Sequence, residues 1–171
     1  SPGDEVTITL TEDSGVKVLS IVGDEGKLPL DSDRNTVSLV IQEYLKHIDK
    51  SDLGVAIELK KMMPLKSGLG SSAASSVVGV YALNKLLGSP LTDLELLPFA
   101  MKGEELACGS AHADNVAPAL LGGFVLVRSY SPLDVIKLPT PKRMYATIIH
   151  PHIEVKTKDA RNILRTDVKL K

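Results

Sequence analysis

The stretch Pro64-Leu65-Lys66-Ser67-Gly68-Leu69-Gly70-Ser71-Ser72-Ala73-Ala74-Ser75-Ser76 constrains this chain more than any other. Two glycines one residue apart let the backbone reach positive φ and let a large anion come close, and small hydroxyl-bearing residues then open an apolar helix. The unpaired amides of that helix's first turn, the positive end of its dipole and the concave run of loop amides all favour a phosphate. The same residues would also serve as a turn that only caps a core helix. Two commoner phosphate loops fit poorly. No lysine follows a glycine here, so a Walker A loop is absent. Gly68-Leu69-Gly70-Ser71-Ser72-Ala73 formally meets the dinucleotide pattern G-x-G-x-x-G/A, but a basic, proline-broken connection, residues 60–67, separates it from any preceding strand. The acids found about twenty residues on, Asp93 and Glu95, lie in a capping-box pattern that starts a helix rather than at a strand end.

The bulk properties narrow the classes. With 171 residues the chain is long enough for one domain with a sizeable core, and the reading preferred is part of a larger protein. Lysine and arginine total 20 against 21 acids, a net charge of −1, so no overall field draws nucleic acid or an anionic membrane. The single cysteine, Cys108, can form no internal disulfide, is a poor metal ligand alone, and reads as a small packed residue in a reducing, cytoplasmic setting. No apolar run approaches the roughly 18 residues of a membrane span, and the start Ser1-Pro2-Gly3-Asp4-Glu5 lacks a signal pattern, although a removed targeting peptide would leave no trace.

Along the chain, Val6–Leu10 and Val16–Ile21 alternate around a polar turn and predict a hairpin. Apolar residues at helical spacing predict a helix over about 36–48, capped by Asn35 or Thr36, and Val55–Leu59 reads as the next strand. The glycine loop should feed a helix over about 72–87, stopped by Gly88 and Pro90, and a further helix should run from Thr92 to about Leu106. A short helix or turn over 114–121, strands at 124–128, 135–138 and 145–149, and a helical tail over about 157–164 complete the pattern. A β-rich start followed by mixed elements argues for an α+β fold with helices packed on a sheet.

A second polar cluster stands in Gly109-Ser110-Ala111-His112-Ala113-Asp114-Asn115-Val116-Ala117-Pro118. His112, Asp114 and Asn115 fall within four residues of a glycine-flanked turn. They could be a capped turn, with Asp114 as the N-cap, or the lining of a small-molecule pocket. Glu104 and Glu105 end an apolar helical face; adjacent glutamates are most often a solvated face, but carboxylates facing a phosphate loop would suit Mg²⁺. Lys60, Lys61 and Lys66 could draw in an anion or merely be solvated.

These two stretches, with Gly122-Gly123-Phe124, resemble the galactokinase, homoserine kinase, mevalonate kinase and phosphomevalonate kinase superfamily, and within it the homoserine kinase branch. The resemblance implies an α+β fold, a ribosomal protein S5 domain 2-like mixed sheet with helices on one face. Residues 1–171 would then be the N-terminal nucleotide-binding domain without its extreme N-terminus, with about 157–171 leading toward a C-terminal domain. It implies phosphorylation of the L-homoserine hydroxyl by ATP with Mg²⁺, in threonine biosynthesis, with neither nucleic acid nor membrane as partner and a homodimer left open. The first and third motifs of that family lie outside the sequence, so the segment alone is expected to be inactive. For ATP, the resemblance selects Asn35, Pro64, Lys66, Ser67, Gly68, Leu69, Gly70, Ser71, Ser72 and Ala73. It makes Ser72 and Glu104 the metal ligands, places His112, Asp114 and Asn115 in the homoserine pocket, and gives the substrate carboxylate to Arg161 in Thr157-Lys158-Asp159-Ala160-Arg161. Asn115 would orient the hydroxyl, with Glu104 and Ser72 completing the catalytic set. Asp114 serves better as a counter-ion to the ammonium than as a general base. Another small-molecule kinase of the superfamily and a non-catalytic nucleotide-binding module remain the alternatives.

Overall fold

The computed structural model describes residues 3–65, 67–109, 111–149 and 163–164. The order is β1 (Glu5–Thr11), β2 (Gly15–Val22), α1 (Thr36–His47), β3 (Gly54–Lys60), α2 (Ser71–Leu86), α3 (Asp93–Cys108), α4 (Ala113–Leu121), β4 (Phe124–Tyr130) and β5 (Leu133–Leu138). β1, β3 and β2 make a mixed sheet in that spatial order, and β4 and β5 make an antiparallel pair. The α+β class predicted from the sequence is the one observed.

The predicted hairpin is not formed. β1 runs antiparallel to β3 and β2 parallel to it, so β3 lies between them. The reason is burial: Val55, Ala56, Ile57 and Leu59 of β3 are all buried, whereas β1 and β2 alternate between half-buried and exposed residues and suit the edges. The short turn between β1 and β2 must then pass over the end of β3. It does so at Gly54, where an added Cβ would overlap the Asp13 carbonyl oxygen and the Thr11 side chain. Gly54→Ala should therefore cost about 1–3 kcal/mol, as overpacking does. Urea unfolding would show this as a lower midpoint, and a change within about 0.5 kcal/mol, the range of ordinary surface substitutions, would contradict the crossing.

Helices α1 and α2 pack against the mixed sheet, α1 on β2 and α2 on β1, while α3 packs on both of these helices and α4 on α2 and α3. Apolar residues three or four apart build their buried faces: Val37, Val40, Ile41, Tyr44 and Leu45 on α1, Ala73, Val77, Val80 and Leu83 on α2, Leu96, Leu97 and Ala100 on α3, Val116 and Ala117 on α4. Two glycines let backbones approach. An added Cβ would overlap Val37 at Gly79, and Ser76 Oγ at Gly103. Helices α1, α2 and α3 are thereby locked together beside Glu104. The buried Tyr44 hydroxyl donates to Asn84 Oδ1 at 2.8 Å, and Asn84 Nδ2 donates to the Leu91 carbonyl at 2.9 Å, which fixes the α2–α3 connection.

The helix boundaries agree with the sequence pattern to within about two residues at each end. Thr92 and Glu95 form the expected capping box, with Glu95 Oε2 accepting from the Thr92 amide at 2.8 Å. Thr92, through its amide first and then its hydroxyl, holds the Glu95 carboxyl below the usual glutamate range. The strand predicted at 145–149 is not formed. Tyr145 is 94% exposed and Ile149 87%, and among the described residues no strand pairs with this run. Of the helical tail predicted over about 157–164, residues 157–162 lie outside the described residues, as does the Cys108 side chain.

Candidate functional site: two helix N-termini beside a buried carboxylate

The glycine loop opens α2 without capping it. Gly68 has φ of 75° and so does Gly70, the N-cap, positions that a side chain would strain. Ser67 Oγ donates to the Pro64 carbonyl at 2.8 Å and accepts from the Leu69 amide at 3.3 Å, folding the loop on itself. Gly70 supplies no side-chain cap, and the first turn of α2 contains no acid. α3 is the contrast, since Thr92 and Glu95 meet its leading amides from within the chain. The donors of a 16-residue helix are thus left facing the loop, the arrangement that suits an anion. Of the predicted loop residues, Lys66 lies outside the described residues.

The hydroxyls of Ser71 and Ser72 are buried and have no hydrogen-bond partner among the described residues. A buried unsatisfied hydroxyl costs about 1–3 kcal/mol, so two at one helix start point to a ligand that completes them. Glu104 lies on the helix that packs against α2. It follows Gly103, whose close approach to Ser76 brings α3 against the face of α2 that carries Ser72 one turn earlier. Glu104 is buried, whereas Glu105 is exposed and pairs with Lys102 at 3.2 Å, so the solvated-face reading holds for Glu105 only. Among the described residues no group of three or more His, Cys, Asp or Glu side chains could hold a metal. Mg²⁺ needs no such group, because it takes one or two protein oxygens and completes its shell with water and phosphate. The orphaned Ser72 hydroxyl together with the Glu104 carboxylate fits it.

The second cluster meets the loop at Gly70. A Cβ there would lie 3.5 Å from Asn115 Oδ1 and 3.6 Å from Asn115 Cβ. His112, not Asp114, is the N-cap of α4, with extended φ of −96° and ψ of 134°. Asp114 instead occupies the first turn, exposed, its Oδ1 accepting from the Asn115 amide at 3.1 Å. The capped-turn reading placed the N-cap two positions too late, because the helix already begins at Ala113. The Ala113 amide donates to the Tyr130 hydroxyl at 3.3 Å, a link from the end of β4 that the sequence did not signal. A cavity of about 580 Å³ opens beside Leu69, Gly70 and Asn115 and runs between α2 and α4 along Val77, Tyr81 and Pro118.

Asn35 is the α1 cap. Its Oδ1 accepts from the Val37 amide at 3.0 Å and from the Ser38 amide at 3.4 Å, and its Nδ2 donates to the Pro29 carbonyl at 2.8 Å. Arg161 lies outside the described residues. Lys61 was read only as a solvated or anion-attracting residue, yet it is buried, in an ion pair with Asp4. Burial draws its ammonium below the usual lysine range, opposed by the Asp4 carboxylate. A lysine in a basic run gives no sign of this, because its partner stands 57 residues away.

The layered fold with its glycine loop and converging helix starts is shared with known proteins. Residues 35–123 match the family described as GHMP kinases N terminal domain, and the chain belongs to that family. It is similar to the crystal structure of homoserine kinase from Cytophaga hutchinsonii, at 63% identity and a TM-score of 0.94 over 99% of this chain and 54% of that one. It is also 51% identical to homoserine kinase from Chlorobium phaeovibrioides and 50% identical to that from Chloroherpeton thalassium, in each case over 99% of this chain and 56% of the relative. The chain thus spans about half the length of the curated relatives it matches. The dinucleotide-binding alternative loses its footing, since α2 is followed by α3 and α4 and not by a strand parallel to β3. No helix among the described residues is long and apolar enough to cross a membrane.

Proposed function

We propose that the protein of which this chain is part is a homoserine kinase, which transfers the γ-phosphoryl group of ATP to the hydroxyl of L-homoserine. The observation that carries this reading is the meeting of the uncapped N-terminus of α2 with the His112–Asn115 turn at Gly70. The first gives amide donors to the phosphates of ATP, and the second brings polar side chains to the place where an acceptor must stand. The relatives that match over nearly all of this chain are homoserine kinases, which supports the same conclusion.

Phosphoryl transfer needs chiefly alignment and charge stabilisation, because its transition state is loose and little covalent work falls to the protein. In this reading Gly68 to Ala73 cradle the β- and γ-phosphates with backbone amides, and Ser67 keeps the loop folded. Ser72 and Glu104 hold Mg²⁺, which supplies charge neutralisation at the phosphate oxygens when bound. Asn35 acts on the nucleotide side by fixing the first turn of α1. Asp114, exposed and next to the pocket, serves as counter-ion to the homoserine ammonium, and His112 lines the same turn. Asn115, against Gly70, orients the substrate hydroxyl toward the γ-phosphorus. Arg161 takes the carboxylate. A carboxylate that pairs with an ammonium is a poor proton acceptor, so no general base is assigned.

Another kinase of the superfamily would use the same phosphate cradle with a different acceptor. ADP release by the full-length protein, titrated with homoserine, mevalonate and shikimate in turn, separates them. Homoserine should give the highest kcat/KM, by at least about a hundredfold, since a site built around charged groups rejects analogues that leave those groups unpaired. Preference for either of the other two acceptors would overturn the reading.

A further inference from the structure

The phosphate cradle stands on a closed, buried polar network that joins the N-terminal segment, the end of β3 and the start of α2. Lys61 follows the last residue of β3, and its side chain is 1% exposed; that of its partner Asp4 is 0% exposed. Lys61 Nζ donates to Asp4 Oδ2, to the Ser71 carbonyl at 3.0 Å and to Ser75 Oγ at 2.6 Å, so all three of its protons are used. Asp4 Oδ1 accepts from the amides of Met62 at 3.1 Å and Met63 at 3.2 Å, the first two residues of the loop after Lys61. Ser75 Oγ, one turn into α2, lies 2.9 Å from Asp4 Oδ2 and 3.2 Å from the Ser71 carbonyl, and its proton goes to one of the two. The Lys61 backbone is held from the other side as well. Its amide donates to the Val22 carbonyl at 2.7 Å, and an added Cβ at Gly23 would overlap its carbonyl oxygen.

Breaking a buried ion pair is expensive, but keeping one contributes little to stability compared with a well-packed apolar pair of the same size. The question is therefore what this one sets in place. Its four members join both ends of the loop: the departure from β3 at residues 61–63 and the first turn of α2 at Ser71 and Ser75. Between these fixed ends stand Ser67, Gly68, Leu69 and Gly70, with both glycines at positive φ. The network holds Ser71 by its carbonyl, at the start of a helix whose leading amides receive no side-chain cap from Gly70.

We propose that Asp4, Lys61 and Ser75 are positioning residues for the phosphates of the nucleotide, holding the two ends of the cradle at the separation that lets its amides converge. This rests on the reading of the loop as a nucleotide site. None of the three touches the ligand; they act through the loop backbone. Because they set the cradle and not the adenine side, their loss should fall on nucleotides that carry the β- and γ-phosphates and spare adenosine.

The test is equilibrium binding to the full-length protein, with a fluorescent ATP analogue displaced by MgATP or by adenosine, at a temperature where a melting curve shows each variant folded. Lys61→Met should weaken MgATP at least tenfold and change adenosine less than twofold. Ser75→Ala retains the ion pair and should keep the fold; it should weaken MgATP at least threefold, again sparing adenosine, and it decides the matter if Lys61→Met does not fold. A lower melting temperature with MgATP affinity within twofold of wild type would make the network a fold stabiliser only and overturn the proposal. Equal losses for MgATP and adenosine would overturn it too. If the wild-type protein does not bind MgATP, the nucleotide reading itself fails, an outcome that the wild-type arm shows before any variant is compared.

Discussion

Glu104→Gln in the full-length enzyme should lower turnover by at least about two orders of magnitude, while Glu105→Gln should change it less than twofold. The two glutamates are neighbours in sequence and differ in surroundings: Glu104 is buried, next to the Gly103 that approaches Ser76 of α2, and Glu105 is exposed and paired with Lys102. A metal ion at a phosphoryl-transfer site contributes several kcal/mol of charge stabilisation, and each 1.36 kcal/mol is about tenfold in rate. Replacing a carboxylate ligand by an amide removes the negative charge that holds the ion while keeping size and shape. Exposed ion pairs such as Lys102–Glu105 contribute about 0–1 kcal/mol at most, so losing that one should leave the fold and the rate nearly unchanged. Raised Mg²⁺ should recover part of the Glu104→Gln loss, because weaker binding is offset by mass action. Equal losses for the two variants would reject Glu104 as the ligand.

The second large effect is expected at Arg161. A guanidinium can grip a carboxylate with two parallel charge-assisted hydrogen bonds, which the single point charge of lysine cannot reproduce. Arg161→Lys in the full-length enzyme should cost about 1.5–3 kcal/mol, the range for hydrogen bonds to charged groups, or roughly ten- to a hundredfold in kcat/KM for homoserine. The KM for ATP should stay nearly constant. An ordinary solvated arginine would give an effect within about 0.5 kcal/mol. Steady-state kinetics with homoserine varied at saturating ATP, and then the reverse, distinguish the two. A homoserine kcat/KM within twofold of wild type would refute the clamp, and so would an equal change in the KM for ATP.

The parts of this fold that read correctly from the sequence are those set by local chemistry. Thr92 and Glu95 mark a helix start because each satisfies the other's backbone amide, and the loop glycines mark a positive-φ turn because few other residues tolerate one. The pairing of β1 with β2 failed for the opposite reason. Alternation and a short polar turn are the signal of a hairpin, but strand order is decided by which strand can be buried on both faces, and the clue was the continuous apolar run after Gly54. Tyr145–Ile149 has strand-forming residues but no partner strand among the described residues, and β propensity is largely a matter of neighbours. In the candidate site, the positive-φ turn at Gly68 and Gly70 was legible from the spacing of the glycines, whereas the role proposed for Ser72 came from the family resemblance. The choice of Glu104 over Glu105 needed a family pattern, and the structure supports it through burial. The Asp4–Lys61 pair was out of reach, because no local pattern records a contact across 57 residues.

The most direct test of the account is a crystal structure of the full-length protein with a non-hydrolysable ATP analogue, Mg²⁺ and homoserine. The phosphates should lie against the amides of Gly68 to Ala73, with the metal between Ser72 and Glu104. The homoserine ammonium should face Asp114, and its hydroxyl should lie beside Asn115, in line with the γ-phosphorus. Phosphates bound away from the N-terminus of α2, or homoserine bound outside the His112–Asn115 turn, would contradict it.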